Sequence, residues 1–336
     1  MTNNPNNELR RSTEQLHHWF THKALPLWAT TGFDFATGSA HERLDPTGRA
    51  DTQCIKRTRV QTRQIIVFSA AEYLYGFTPG KRLVDKIDRY LTKTATHPGE
   101  PNIHIHTLNN KNEMDQRHYD CYDMAFMLLS CAFRYRAYKD PKVLVQAKKS
   151  MDYLNSEMKS DNGGWMESSL DTKVRRQNPH MHLFEAMMAL YDCTLDRVWL
   201  SYATEIFTLF EQYFFNSRSK MLLEYFHPNW RALTGNEGQL IEPGHMMEWV
   251  WLLNHYHDRT NAPVSRYTEA LYENAYHYGI DKSSGLIYDA ISIRGKPLQQ
   301  TKRCWPITEL IKASLTEAKK GYSLGEKRAA EGIQLL

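Results

Sequence analysis

A chain of 336 residues, 41% hydrophobic and 12% aromatic, is long enough to bury a sizeable core and too apolar to stay disordered. Its net charge of +4 comes from Lys and Arg scattered among Asp and Glu, which excludes a basic block tracking phosphates and, with it, nucleic acid as a partner. Five cysteines, Cys54, Cys121, Cys131, Cys193 and Cys304, form no C-x-x-C pair, which argues against a disulfide framework or zinc knuckle and for a reducing, cytoplasmic setting.

The first residues are polar, so no export signal is expected. The longest apolar stretch, near residues 125–133, falls short of the roughly 20 residues of a membrane span. Hydrophobic periodicity then predicts helices over 57–75, 122–138, 143–158, 182–193, 246–257, 301–319 and 325–336. Short strand-like stretches recur between them, at 38–44, 103–108, 163–170, 220–226 and 285–291, spaced by about 57 to 65 residues. The recurring unit reads as helix, helix, short hairpin. Such pairs bury their apolar faces by closing into a ring, which predicts an all-α (α/α)6 toroid with short β-hairpins between helices. Five units are visible and a sixth is only begun before Leu336. No linker or low-complexity tract divides the chain, so residues 1–336 read as a single domain with its last repeat incomplete.

Three of these helices open on a proline in the first turn, where helices tolerate it. They are Asn178-Pro-His-Met-His-Leu-Phe-Glu-Ala186, Glu242-Pro-Gly-His-Met-Met-Glu-Trp-Val250 and the segment around Trp305-Pro306. Inner helices of a toroid run the same way, so their N-termini would meet at one rim and gather His182, His245 and Trp305. His245 and Glu248 are three apart and share a helix face. The positive end of the helix dipole disfavours imidazolium, which predicts that His245 is a neutral base near pH 7, suited to taking a carbon-bound proton.

Each residue also has a plainer reading. A histidine near a helix start often caps or faces solvent, Asn178 is a natural N-cap, and Trp305, with Trp165, Trp249 and Trp251, can be core. The cationic run that contains Arg63 is by default a solvated helix face. Metal binding finds little support: residues two apart on a helix diverge by about 200°, which separates His180 from His182. His104 and His106 would share a strand face, but no neighbouring Cys or acidic cluster completes a tetrahedral set. H-E-x-x-H, the P-loop, G-x-G-x-x-G and G-x-S-x-G are all missing.

At these residues the sequence resembles the N-acylglucosamine 2-epimerase superfamily. The matching segments are Arg57-Thr-Arg-Val-Gln-Thr-Arg-Gln64, Tyr122-Asp-Met-Ala-Phe126, Asn178 to Ala186, Glu242 to Trp249 and Arg303-Cys-Trp-Pro-Ile-Thr-Glu309. The resemblance implies the (α/α)6 barrel and a cofactor-free, metal-independent 1,2 proton shift on a free sugar through a cis-enediol. It implies Arg63 as the arginine holding substrate oxygens, Asn178 and His182 as the substrate-binding and ring-opening pair, His245 as a catalytic histidine with Glu248 as its carboxylate, and Trp305 as the aromatic wall. Two departures stand out. Met124 replaces a family histidine, and the chain reaches Leu336 before the segment that carries the family's second catalytic histidine. The expected activity is isomerisation of D-mannose or a close relative by a monomer or homodimer. Alternatives are 2-epimerisation of N-acetylglucosamine, glucose or a cellobiose-type sugar, non-catalytic sugar binding, and glycoside hydrolysis by carboxylates such as Glu42, Asp123 and Glu248.

Overall fold

The structure is a computed structural model that describes residues 5–170 and 172–336. Thirteen α-helices are formed by the described residues. In chain order they are α1 Pro5–Trp19, α2 Leu25–Ala29, α3 Thr58–Tyr75, α4 Gly80–Thr94, α5 Cys121–Tyr138, α6 Lys142–Glu157, α7 Gln177–Thr194, α8 Arg197–Leu209, α9 Gly235–Gly238, α10 Pro243–Thr260, α11 Ser265–Gly279, α12 Trp305–Lys319 and α13 Gly325–Gln334. Strands among these residues are two to five residues long and pair antiparallel in sheets of two or three. None of the helices is long and apolar enough to cross a membrane.

The helices are of two kinds, and burial explains both. In α5, Cys121 and every residue from Asp123 to Ala132 are buried, and in α10 every residue from Pro243 to Asn254, so these helices are covered on all sides. In α4 the buried residues are Gly80, Leu83, Val84, Ile87, Tyr90 and Leu91, a single stripe at helical spacing with the other face in solvent. Gly76 ends α3 in the left-handed region at φ 67°, where its amide reaches back to the carbonyls of Ala71 and Glu72; glycine adopts this conformation without a Cβ penalty.

The chain divides into two compact units. One comprises Phe20–Lys173 and Pro179–Ile206; within it α3 packs on α4 and α5, and α5 on α6. The other comprises the stretch ending at Trp19, Val174–Asn178 and Phe207–Leu336. Within this second unit α10 packs on α11 and α12, α12 on α13, and α13 on α1. Where α13 meets α1, Gln334 Nε2 donates to Glu8 Oε1 at 3.0 Å.

A common device starts the buried helices. Arg57, just ahead of α3, pairs with Thr107, and Asp120, ahead of α5, bridges to Ser168. Arg176, ahead of α7, pairs with Tyr225, and Ile241, ahead of α10, with Ile291. Each pairing joins positions roughly fifty apart, the signature of one supersecondary unit used repeatedly. The effect is local: two or three ladder bonds fix where a helix begins, and so which residues occupy its first turn.

Candidate active site

In the first unit, α3 contributes Arg63, the start of α5 contributes Tyr122 and Phe126, and α7 contributes His182. Arg63 Nη2 donates to the Tyr122 hydroxyl at 2.6 Å, and its guanidinium lies 4.0 Å from the Phe126 ring centre. His182 meets Tyr122 edge-on at 4.9 Å and Phe126 at 4.6 Å, and its Nδ1 lies 3.3 Å from Glu185 Oε2. Arg63 and His182 are therefore neighbours across two aromatic rings. One turn before Arg63, Arg59 holds Asp123 at 2.9 Å. Neither aromatic was singled out from the sequence, although Tyr122 and Phe126 stand in a matching segment.

His180 and His182 diverge as helix geometry requires. The amide of Trp165 donates to His180 Nε2 at 3.1 Å, whereas His182 faces Tyr122 and Phe126. His104 is fully buried, which depresses its pKa to about 4, and His106 turns to Asp123 at 2.6 Å. The expectation that His106 lacks acidic neighbours is thus overturned, because the hairpin returns the chain to the start of α5.

In the second unit, the first turn of α10 carries His245. Its Nδ1 lies 3.0 Å from Glu224 Oε2, with both side chains buried. The same oxygen accepts from Gln177 Nε2 at 2.9 Å, and Gln177 Oε1 accepts from the Trp249 indole at 2.8 Å. This is a fully partnered buried chain of the kind that fixes a single tautomer: with a carboxylate as acceptor, Nδ1 carries the proton. Sequence reasoning missed Glu224 and Gln177. They lie 47 positions apart, and only the pairing of 175–176 with 225–226 brings them together.

The electrostatics correct the expected neutral base. Burial disfavours imidazolium, but the charge of Glu224, then that of Glu242, then the hydrogen bond to Glu224 and the charge of Glu248 outweigh it, and raise the His245 pKa to about 9. A helix dipole is worth about 0.3–1 kcal/mol at such a position, far less than a carboxylate at hydrogen-bond distance in a dry site. Glu248 is buried and contributes to this field, but the oxygen on Nδ1 belongs to Glu224. Burial, with Glu224 nearby, also raises the Glu242 pKa, against His245 and Arg303.

Trp305 lies 5.1 Å from the His245 ring, tilted by 36°. Gly244 permits this approach: a Cβ there would fall 2.5 Å from the indole. Arg303 bridges Glu242 Oε2 at 2.9 Å and Asp289 Oδ1 at 3.0 Å, which anchors the start of α12. Asn178 Oδ1 is buried without a protein hydrogen-bond partner, one unsatisfied acceptor at the start of α7. One atom from each of Glu224, Glu242 and His245 lies within 4.8 Å of the others. Those groups are already committed to one another, to Gln177 and to Arg303, so the set reads as charge-paired rather than as a cation cage.

The sequence model described as N-acylglucosamine 2-epimerase (GlcNAc 2-epimerase) matches residues 38–334. A protein of Rhizobium meliloti (strain 1021) named mannose-6-phosphate isomerase is 30% identical over 95% of this chain and 85% of its own length. The crystal structure of a D-mannose isomerase superposes with a TM-score of 0.84 over 96% of this chain and 85% of that one, at 17% identity. The cellobiose 2-epimerase of Bacillus thermoamylovorans B4167 gives 0.83 over 98% and 85%, at 20% identity. The structures share the fold, while the sequence matches carry the kinship: this chain belongs to the N-acylglucosamine 2-epimerase family of sugar isomerases and epimerases.

Proposed function

We propose that the helices form an (α/α)6 toroid of a single domain and that Arg63, His182, Asn178, His245, Glu248 and Trp305 are the residues that bind and turn over a free monosaccharide. The reaction is a metal-independent 1,2 proton shift, with D-mannose to D-fructose, or a close relative, as the first substrate pair. The observation that carries the reading is the buried Trp249–Gln177–Glu224–His245 relay, which holds an imidazole in one orientation and charged at neutral pH.

A protonated His245 starts as an acid. It gives its proton to the ring oxygen while His182 takes the proton of the O1 hydroxyl, and the sugar opens. Neutral His245 is then the base that removes the C2 proton, as His182 returns its proton to O1, which yields the cis-enediol. His245 delivers the proton to C1, His182 takes the one on O2, and the ketose forms; ring closure restores both residues. Arg63 stabilises the oxygen that gains negative charge, an effect worth about 3 kcal/mol where such donors have been removed. Trp305 supplies an apolar face for the sugar, and Asn178 Oδ1 accepts a hydroxyl.

Epimerisation at C2 uses the same enediol with the proton returned to C2, so N-acetylglucosamine, glucose and cellobiose-type sugars are the alternative substrates. The name of the Rhizobium relative adds mannose 6-phosphate to the panel. Hydrolysis is disfavoured by its own candidates: Glu42 pairs with Arg57 at 2.5 Å and Asp123 with Arg59 and His106, so neither is a free acid. Incubation with mannose in deuterated water, followed by NMR at C1 and C2, tests the proposal. Fructose is the expected product, deuterated at C1 to the extent that His245 exchanges its proton with solvent; glucose without fructose moves the assignment to an epimerase, and absence of both product and exchange with every sugar of the panel overturns it.

A further inference from the structure

We propose a divalent transition-metal site, apart from the proton-transfer residues, formed by His106, His118 and Asp120 of the first unit. One ligand atom from each lies within 4.8 Å of the other two, and the two imidazole rings are 4.6 Å apart, tilted by 35°. Two imidazoles and a carboxylate with room for water or another ligand suit Zn²⁺ or Co²⁺. Bonds of 2.0–2.1 Å set ligand atoms about 3.4 Å apart in a tetrahedral site, a contraction that a side-chain rotation of the half-buried His118 supplies.

The surroundings are those of a prepared site. Asp123 Oδ2 lies 2.6 Å from His106 Nδ1, and its other oxygen accepts from Arg59 at 2.9 Å. A carboxylate on Nδ1 places the proton there and leaves the Nε2 lone pair for a metal, the arrangement by which proteins orient histidine ligands. Asp120 is buried and caps α5 with Oδ1, which accepts from the amides of Tyr122 and Asp123 at 3.0 and 3.1 Å. Its Oδ2 is left to bind an ion. Backbone bonds hold the cluster from both sides. The Gln116 carbonyl accepts from the amides of His106 and Thr107, and the Glu167 carbonyl accepts from Cys121. Arg59 pairs with Asp123, and among the described residues no ion pair serves Asp120. A dication would balance the pair and tie the hairpin before α5 to the helix that carries Tyr122.

The test is Co²⁺ titration of the chelator-stripped full-length protein, read by visible absorption, with Zn²⁺ competition and melting curves alongside. One equivalent of Co²⁺ with ligand-field bands, displaced by Zn²⁺ with a rise in Tm, is expected. His118→Ala should weaken binding at least tenfold, as should Asp120→Asn, which retains a capping acceptor but loses the charge. Both variants should keep the metal-free melting temperature within a few degrees. Sugar exchange measured in chelator should be the same for wild type and His118→Ala, so failure here is separable from failure of the isomerase assignment. Absence of saturable Co²⁺ binding by wild type overturns the site, as does binding that both variants leave intact, which would place the ion elsewhere.

Discussion

At the scale of single residues, His245 owes its charge to the carboxylates around it rather than to the helix it begins. Position in a first turn is written in the sequence; the carboxylate on its Nδ1 comes from 21 residues upstream and overrides the dipole. Two predictions follow from this pair. Glu224→Gln removes the largest of the raising influences on the His245 pKa while it preserves the shape of the acceptor. In wild type, kcat/KM should fall as pH rises through about 9, because the imidazolium that opens the sugar is lost. In the variant that limb should move to lower pH by roughly one unit or more, the shift expected when an adjacent opposite charge is withdrawn. A limb that stays put would separate His245 from the rate-controlling titration. The second prediction concerns stability. A histidine whose folded pKa lies above its unfolded value stabilises the fold fully below about 6.5, and that contribution disappears as pH rises toward 9. Urea melts between pH 6 and 9.5 should therefore lose on the order of 3 kcal/mol in wild type and much less in His245→Gln.

At the scale of elements, periodicity found most of the buried helices to within a few residues. The expected 122–138 is Cys121–Tyr138, and 246–257 is the core of Pro243–Thr260. Among the buried helices the period starts latest at α7, from His182 where the helix begins at Gln177, because it does not register polar first-turn residues that a strand pairing holds in place; only the Asn178-Pro179 motif marks that start, and periodicity names none of α1, α4, α8 and α11. Those extra residues include Gln177, which bonds Glu224 and Trp249, and Asn178, a proposed sugar contact. The stretch at 163–170 reads as strand-like, yet it forms only the isolated bridges of Trp165 and Ser168. Helix starts are also where packing is tightest, and Gly244 is the sharpest case: an added methyl meets the Trp305 indole at 2.5 Å and Pro306 at 3.0 Å. Gly244→Ala should cost about 1–3 kcal/mol in urea denaturation, the range for overpacked cores. It should also raise KM for the sugar more than it lowers kcat, since the wall moves while the His245–Glu224 pair stays in place. An unchanged KM would remove Trp305 from the sugar-binding surface.

At the scale of the whole molecule, the repeat was legible and its closure was not. Five short stretches at nearly even spacing announce one unit used several times, and the strand pairings ahead of α3, α5, α7 and α10 give that repeat a physical form. Sequence spacing alone could not say how the chain divides into compact units, because those units interleave: 174–178 and 179–206 belong to different ones although they are consecutive. His182 belongs to one unit and His245 to the other, yet the proposed mechanism makes them act on the same sugar in alternating steps. Double-mutant kinetics can decide this. If the two imidazoles serve one substrate, His182→Ala and His245→Ala should each reduce deuterium exchange by about a thousandfold or more, and the double variant should be little worse than the poorer single variant, since residues acting as a unit are strongly non-additive. If the units act separately, the losses should multiply. A multiplicative result, with both single variants folded, would show that the two imidazoles contribute independently and would overturn their alternation within one turnover.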